Sequence, residues 1–544
     1  MFQAVLLIAL LCGSLWLLRE CLRRFVLRSP LDNIPGPPSK SFVYGNLEDL
    51  VKLDSWPFHD HLVENYPGIA RLQGPFGGRI LYVFDPNALH HVLVKHQYVY
   101  EEARFFTRSH ELFLGKGLLA TLGEHHRKQR KLLNPVFSPQ HMRYMIPMFY
   151  KIGELLVEAI QNRAQQGEQE VDMAMWLGRT ALELIGQAGL GYSFGHLIDD
   201  DKNEFAVAIK GFTHALGSVA VIRRIVPYLP TIRFAGIGRK LFDMVPHDGV
   251  KRLLEISDIL WDRSIAIYNE KKRAFEQGDA AVAKQVGEGK DIMSILLKAN
   301  VEASDEDKLD EDEIIAQMST FILGAVDTTS NALSAILWRL AENREVQQKL
   351  REEIINANAD KGVDYDTLVG LPYLEAVCRE TLRLHAPLPQ IFRETLKDIV
   401  LPLSTPIIGV DGKTIHEITV PKNTTVVVGI MNCNRNKSLW GDDAYEWKPE
   451  RWLSPLPAAV REAKIPGIYS NIMTFSGGGR ACIGFKFAQL EIKVLLSLLL
   501  ANFTFEPTDQ SVIWNLGGIR YPSLADDRKK VSLPMKVGIY TRSE

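Results

Sequence analysis

Apolar residues recur at three- and four-residue steps through most of the middle of this chain, and that spacing predicts helix. Val171–Leu190 and Val250–Lys272 carry the pattern, Ile314–Arg339 carries it over a longer apolar run, and leucines at helical spacing extend from Ile483 to about Phe503. Strand signals are few. Ile80–Phe84 (Ile-Leu-Tyr-Val-Phe) lies between Gly77-Gly78 and Pro86, the punctuation expected around a short strand. Smaller strand-like pieces occur at Ile399–Leu401 and Thr424–Ile430. Lys284–Asp291 and Glu302–Asp312 are polar and predict solvated loops, and Asp310, Glu311, Asp312 and Glu313 suit the positive start of the next helix. The expected fold is mainly α with a minor β-sheet, in one large domain.

The N-terminus breaks the pattern. Phe2–Leu18 is almost uncharged, and Arg19, Arg23, Arg24 and Arg28 follow. An apolar run of roughly 17 to 20 residues just spans a bilayer, and the basic flank would stay in the cytosol. A cleaved signal peptide is the rival, but no basic side chain precedes the run and arginines crowd the cleavage position. The expected organisation is a membrane anchor at 1–18, a basic and proline-rich linker at 19–40, and a body at 41–544. Ile34-Pro35-Gly36-Pro37-Pro38 reads as a stiff extended spacer. A formal net charge of −2 argues against a nucleic-acid partner. The five cysteines (Cys12, Cys21, Cys378, Cys433, Cys482) are scattered and odd in number, which fits a reducing compartment and no disulfide framework.

Candidate chemistry gathers at Cys482, in Phe475-Ser476-Gly477-Gly478-Gly479-Arg480-Ala481-Cys482-Ile483-Gly484. A thiol at a helix start meets free N–H groups and the positive dipole end, which favour the thiolate. The three glycines permit a tight turn whose N–H groups face the sulfur. Gly484 has no side chain to obstruct a flat ligand, and a soft thiolate suits iron. The alternative is an inert buried cysteine. A second run, Phe321-Ile322-Leu323-Gly324-Ala325-Val326-Asp327-Thr328-Thr329-Ser330, puts small and hydroxylated residues inside an apolar helix. Such a threonine can bond back into the helix and open a kink, and the neighbouring acid can relay protons. The alternative there is a helix crossing, with Asp327 in a surface ion pair. Glu380 and Arg383 are three apart and can pair on one helix face; Arg451 offers a second cation.

On the motif F-x-x-G-x-R-x-C-x-G at 475–484 the chain resembles the cytochrome P450 superfamily, in its eukaryotic microsomal, fungal form. The resemblance runs through nearly everything after the N-terminal segment. It implies that Cys482 is the proximal haem ligand, that Arg480 pairs with a haem propionate, that Phe475 packs beside the thiolate, and that Gly478 and Gly484 belong to the cradle. The family pattern (A/G)-G-x-(D/E)-T-(T/S) falls on Gly324 to Thr329, with Thr328 steadying dioxygen, Asp327 delivering protons, and Ala325 replacing the usual glycine. Glu380, Arg383 and Arg451 would form a buried triad. In the W-x-x-x-R region His126 replaces tryptophan; His126, Arg130 and Arg393 would hold propionates. Arg127, Lys128 and Lys131 would be either a solvated face or a docking face for an acidic reductase.

Family topology would wall the substrate side with Phe105, Phe106, Leu112, Phe113, Leu114, Phe321, Leu323, Ala325, Leu388, Ile391 and Phe392, an apolar pocket with few charges that favours a lipophilic molecule; the alternative for each of them is ordinary core. The implied activity is a monooxygenase using haem b and O2. Electrons would come from NADPH through a separate flavoprotein reductase. One oxygen atom would be inserted by hydroxylation or epoxidation into a lipophilic, terpenoid-type secondary metabolite at the endoplasmic reticulum membrane. Two rivals are a haem-thiolate isomerase or dehydratase and a non-catalytic haem sensor; retention of Asp327 and Thr328 argues against the first.

Overall fold

The computed structural model describes residue 14 and residues 28–542 apart from 168–169, 196, 198–208, 210, 213–214, 220–221, 225 and 229–244. The expected anchor at 1–18 (residue 14 aside) and the first part of the linker lie outside the described residues. The proline stretch is not a free spacer. Ile34 is buried, and Pro35 O accepts the Arg71 N–H at 2.9 Å, so residues 30–38 pack on the body.

Five strands build the main sheet: β1 (Ile69–Gln73), β2 (Arg79–Val83), β3 (Tyr100–Glu102), β4 (Gln390–Thr395) and β5 (Thr425–Gly429), in the order β1-β2-β5-β4-β3. β2 and β5 run parallel with Ile80 opposite Thr425, while β4 is antiparallel to both β5 and β3. That register sets Glu102 directly across from Arg393. Three smaller sheets complete the β structure among the described residues.

Helices make up the rest. Those that matter for the site are α1 (Arg104–Leu114), α2 (Gly123–Leu133), α3 (Pro139–Gln165), α4 (Asp248–Gln277), α5 (Glu311–Glu342), α6 (Pro372–Leu384) and α7 (Phe485–Asn502). α7 is buried on nearly every face from Leu490 to Ala501, Glu491 and Lys493 included, and a helix so largely apolar belongs in the core. α5 opens with Glu311, Asp312 and Glu313 in its first turn, where the dipole favours acids. Among the described residues α5 alone is long and apolar enough to cross a membrane, yet its most apolar stretch is 83% buried in the protein. It is the central core helix.

Two expectations change. The 284–290 stretch is a partly exposed loop, but Asp291 is buried, receiving Lys271 Nζ at 2.9 Å and capping the helix Ile292–Glu302 through the Ser294 N–H. The pairing crosses from α4, which a local polarity pattern cannot report. Val171–Leu190 is likewise not one helix: Val171 lies in a short strand, and only Met173–Leu184 is α-helical before a wider π turn at Ile185–Leu190.

Candidate active site

The Cys482 loop is held from both sides. Cys482 N–H donates to Phe475 O at 2.9 Å. The Phe475 ring packs on Phe485 and Tyr469, with centroids 4.7 and 5.8 Å apart. Gly478 sits at φ +70°, and a Cβ there would lie 1.8 Å from Leu93 O, so no other residue fits. The expected N–H cradle differs in detail. Gly479 N–H donates to Gln97 Oε1 at 2.5 Å rather than turning to the sulfur. The backbone group that supports Cys482 is Gly484, at the start of α7. Cys482 is exposed as a residue, but the protein packed around its sulfur dominates. Burial pushes the Cys482 thiol up, against the pull of the Gly484 N–H and Arg130. The expected thiolate-favouring balance is therefore not met by protein groups alone, and a cation at the sulfur would restore it.

Next to this loop, α2 and the 479–480 turn line a cleft of about 660 Å³, with His126, Arg127, Arg130, Lys131 and Arg480 on its wall and Glu101 as the acid among them. Arg130 Nη1 donates to Ala481 O at 2.5 Å, tying α2 to the cysteine loop. Arg480 bonds Glu101 Oε2 at 2.9 Å and Thr121 O at 2.8 Å. Arg393 meets Glu102 Oε2 at 2.6 Å. Arg127 and Lys131 hold exposed pairs with Glu124 and Asp307, contacts worth little individually.

His126 is buried; desolvation first, then the charges of Arg480, Arg130 and Arg393, lower its pKa to about 3. Three arginines from three separate segments thus converge on one neutral imidazole. His59 and His110 are likewise held down, to about 4 and about 3, chiefly by burial. Unfolded histidines take up protons below about pH 6.5 while these do not, so stability falls as pH drops through the window from about 6.5 to 4. Each such histidine contributes a slope of about 1.4 kcal/mol per pH unit there. Chemical denaturation at steps of pH should show this loss, reduced by about one proton's worth in His126→Phe; a flat profile contradicts it.

From Glu313 to Leu337 α5 is buried except where Gly324 is exposed and Ala325 and Thr328 are partly so. Those three share one face, and a Cβ at Gly324 would touch nothing within 4 Å. Thr328 Oγ1 donates back to Gly324 O at 2.6 Å, the bond that bends helices outward. Asp327 is buried, not on the surface. The segment after α1 is clamped onto this helix. Gly117 has no room for a Cβ beside Thr320 Oγ1, and Gln317 Oε1 accepts the Leu118 N–H at 3.0 Å.

Glu380 and Arg383, both on α6, are 0% exposed and joined by two bonds of 2.8 Å. Arg451 Nε reaches Glu380 at 3.3 Å, and Trp452 Nε1 and the Lys448 N–H also donate to it. Arg383 spends its remaining donors on the carbonyls of Asn434, Ala444 and Glu446.

The aromatic wall departs from expectation in two respects. Phe321 packs edge-on against Phe137 at 5.6 Å and is core; Phe113 and Leu114 are also buried. Phe106, Leu112, Leu388, Ile391 and Phe392 are partly open, and Phe105 meets Phe392 at 5.3 Å. The wall is also not poor in charge, because Arg224 lies 3.9 Å above the Phe105 ring.

The sequence pattern described as Cytochrome P450 matches residues 35–518. The chain belongs to the cytochrome P450 family. It is 51% identical over 534 residues to cytochrome P450 monooxygenase 91 of Postia placenta, covering 98% of each. It is 50% identical over 532 residues to monooxygenase 81 of the same fungus, covering 98% of this chain and 97% of that one. It is 47% identical over 538 residues to a ganoderic acid synthetase of Ganoderma lucidum, again covering 98% of each.

A P450 monooxygenase uses a haem-thiolate cofactor, O2 and a lipophilic substrate. The residues of this P450 fit that group. Cys482 offers a free sulfur, a soft donor for a metal, and the cleft beside its loop carries Arg127, Arg130, Lys131 and Arg480 with the neutral His126, cations that suit the carboxylates of such a group. Gly484 and Gly324 both face open space where a flat body requires it. Glu101, Glu102 and Gln97, which hold Arg480, Arg393 and Gly479, escaped sequence reading. Nothing in their local pattern marks them: the β3–β4 pairing sets Glu102 against Arg393, and Glu101 and Gln97 meet Arg480 and Gly479 across 379 and 382 positions.

Proposed function

We propose that this P450 inserts one oxygen atom from O2 into a lipophilic, terpenoid-type molecule, by hydroxylation or epoxidation. Electrons would reach it from NADPH through a separate flavoprotein reductase, and an N-terminal anchor would hold it at the endoplasmic reticulum membrane. The observation that carries the reading is the convergence of Arg130, Arg480 and Arg393 on His126 beside the Cys482 loop, to which Arg130 is tied through Ala481 O. The naming of a 47% identical relative as a ganoderic acid synthetase supports the terpenoid class.

In this reading Cys482 ligates the iron of haem b, which when bound supplies oxygen activation, favoured by thiolate electron donation. Gly484 N–H supports the sulfur, Phe475 shields it, and Gly478 sets the turn. Arg480, Arg130 and Arg393 meet the carboxylates, with His126 as a neutral neighbour. On the other side Thr328 holds a proton at Oγ1, parked on Gly324 O until the groove offers a better acceptor. Asp327 restores that proton, and Ala325 narrows the groove by a methyl. Phe105, Phe106, Ile391 and Phe392 exclude water from the reacting end.

Thr328→Ala should cut product formed per O2 consumed by roughly a hundredfold, the lower end of acid–base contributions. Stability should change by only about 0.5–1.5 kcal/mol, the worth of one hydrogen bond. Thr328→Ser should restore coupling. The reading as a whole is tested by expression with a flavoprotein reductase and mass spectrometry of a lipophilic extract. Oxygenated products that need both NADPH and O2 support it; their absence, with haem bound, overturns it.

A further inference from the structure

The short turn Ile222–Arg224 lies against α1 and brings two guanidinium groups onto the aromatic wall. Arg224 Cζ stands 3.9 Å from the Phe105 ring centre and 5.8 Å from that of Phe392, and Arg223 Cζ stands 5.6 Å from Phe105. Arg223 spends one donor, Nε to Ser109 Oγ at 3.1 Å, while its Nη2 is buried without a partner. Arg224 makes no hydrogen bond or ion pair among the described residues.

The neighbouring acid, Glu394, is already used. Arg104 pairs with it at 2.5 Å and adds its own N–H at 3.3 Å. His110, stacked 4.0 Å from Phe106, is neutral and spends Nδ1–H on Phe106 O. Burial lowers the Arg223 and Arg224 pKa values to about 9 and about 10. Both groups still carry charge at neutral pH. Glu394 is the acid whose charge reaches Arg224, and it is already bonded to Arg104. Two adjacent half-buried guanidinium groups, one with an unpartnered buried Nη2 and the other with no hydrogen bond or ion pair among the described residues, are costly unless an anion joins them. A carboxylate matches that fork in two parallel bonds.

Building on the monooxygenase reading, we propose that Arg223 and Arg224 form a subsite for the carboxylate of a lipophilic acid. The apolar body of that acid would lie along Phe105 and Phe392. The acid end is then held away from the reacting carbon, so oxidation falls at a position set by the length of the molecule.

The test uses the purified, haem-loaded full chain, checked by the absorption of its carbon monoxide complex. Equilibrium binding is measured for two sets of probes: oleanolic acid, its methyl ester and the corresponding alcohol erythrodiol; and palmitic acid with methyl palmitate. In at least one set the acid should bind roughly tenfold to hundredfold more tightly than its ester, the range of charge-assisted bonds. Which set responds separates a terpenoid acid from a fatty acid. Arg223→Gln and Arg224→Gln should each remove most of that preference while ester binding holds, and the lysine variants should keep part of it.

Acid and ester binding alike in both sets, or a preference that survives in the double glutamine variant, overturns the subsite. The monooxygenase reading stands in that case if neutral lipophiles still bind and are oxygenated. A chain that binds haem but oxygenates no lipophile brings both down.

Discussion

Cys482→Ser should take turnover to the detection limit and remove the red-shifted carbon monoxide absorption of a sulfur-ligated haem. The loop around the residue does not depend on the sulfur. Its turn is set by Gly478 at φ +70° and by the Cys482 N–H to Phe475 O bond, both of which a serine keeps. The substitution therefore isolates the ligand atom. A hydroxyl is a harder donor with a far higher pKa, and burial already pushes even the thiol up. Gly484 N–H and Arg130 cannot make an alkoxide there. Cooperative unfolding near the parent temperature, with activity gone, is the expected pair of results. Unchanged turnover in the serine variant would remove Cys482 from the mechanism.

Glu380→Ala should yield a chain that neither folds stably nor retains cofactor. Glu380 accepts four different donors: Arg383, Arg451, the Trp452 indole and the Lys448 amide. Removal leaves a guanidinium that is 0% exposed without its counter-charge. Breaking a buried pair in this way costs about 3–5 kcal/mol, against a total stability of about 5–15 kcal/mol. Glu380→Gln keeps acceptor capacity but not charge and should lose less. Arg383→Lys cannot reproduce the bidentate fork and should fall near the alanine variant. Expression level, denaturant midpoint and haem content per chain measure all three. Parent haem content in Glu380→Ala would refute the assignment of Glu380 as the keystone of this support.

The degree to which the site was legible follows the range of the interactions. Ile314–Arg339 announces α5 because each turn repeats the same apolar face, and Thr328 to Gly324 is a bond across one turn. The Glu380–Arg383 pair is of the same kind. Arg451 joins them from 71 positions away, visible only by likeness to a family. Glu101 reaches Arg480 across 379 positions, and its surroundings in sequence look like any strand end.

The amino-acid order alone therefore determined the helical class, the central helix with its small-residue gap, the cysteine loop and its membership of a known family, since these depend on neighbours within one turn or one loop. The fold decided which groups share a cleft. It gave the sulfur its supporting amide from Gly484, set Glu101 and Glu102 against Arg480 and Arg393, buried Asp291 on Lys271, and laid Arg223 and Arg224 on Phe105. A repeating pattern tells which face of an element is apolar, whereas pairing between distant charges depends on which faces meet, and that is settled only when the core closes.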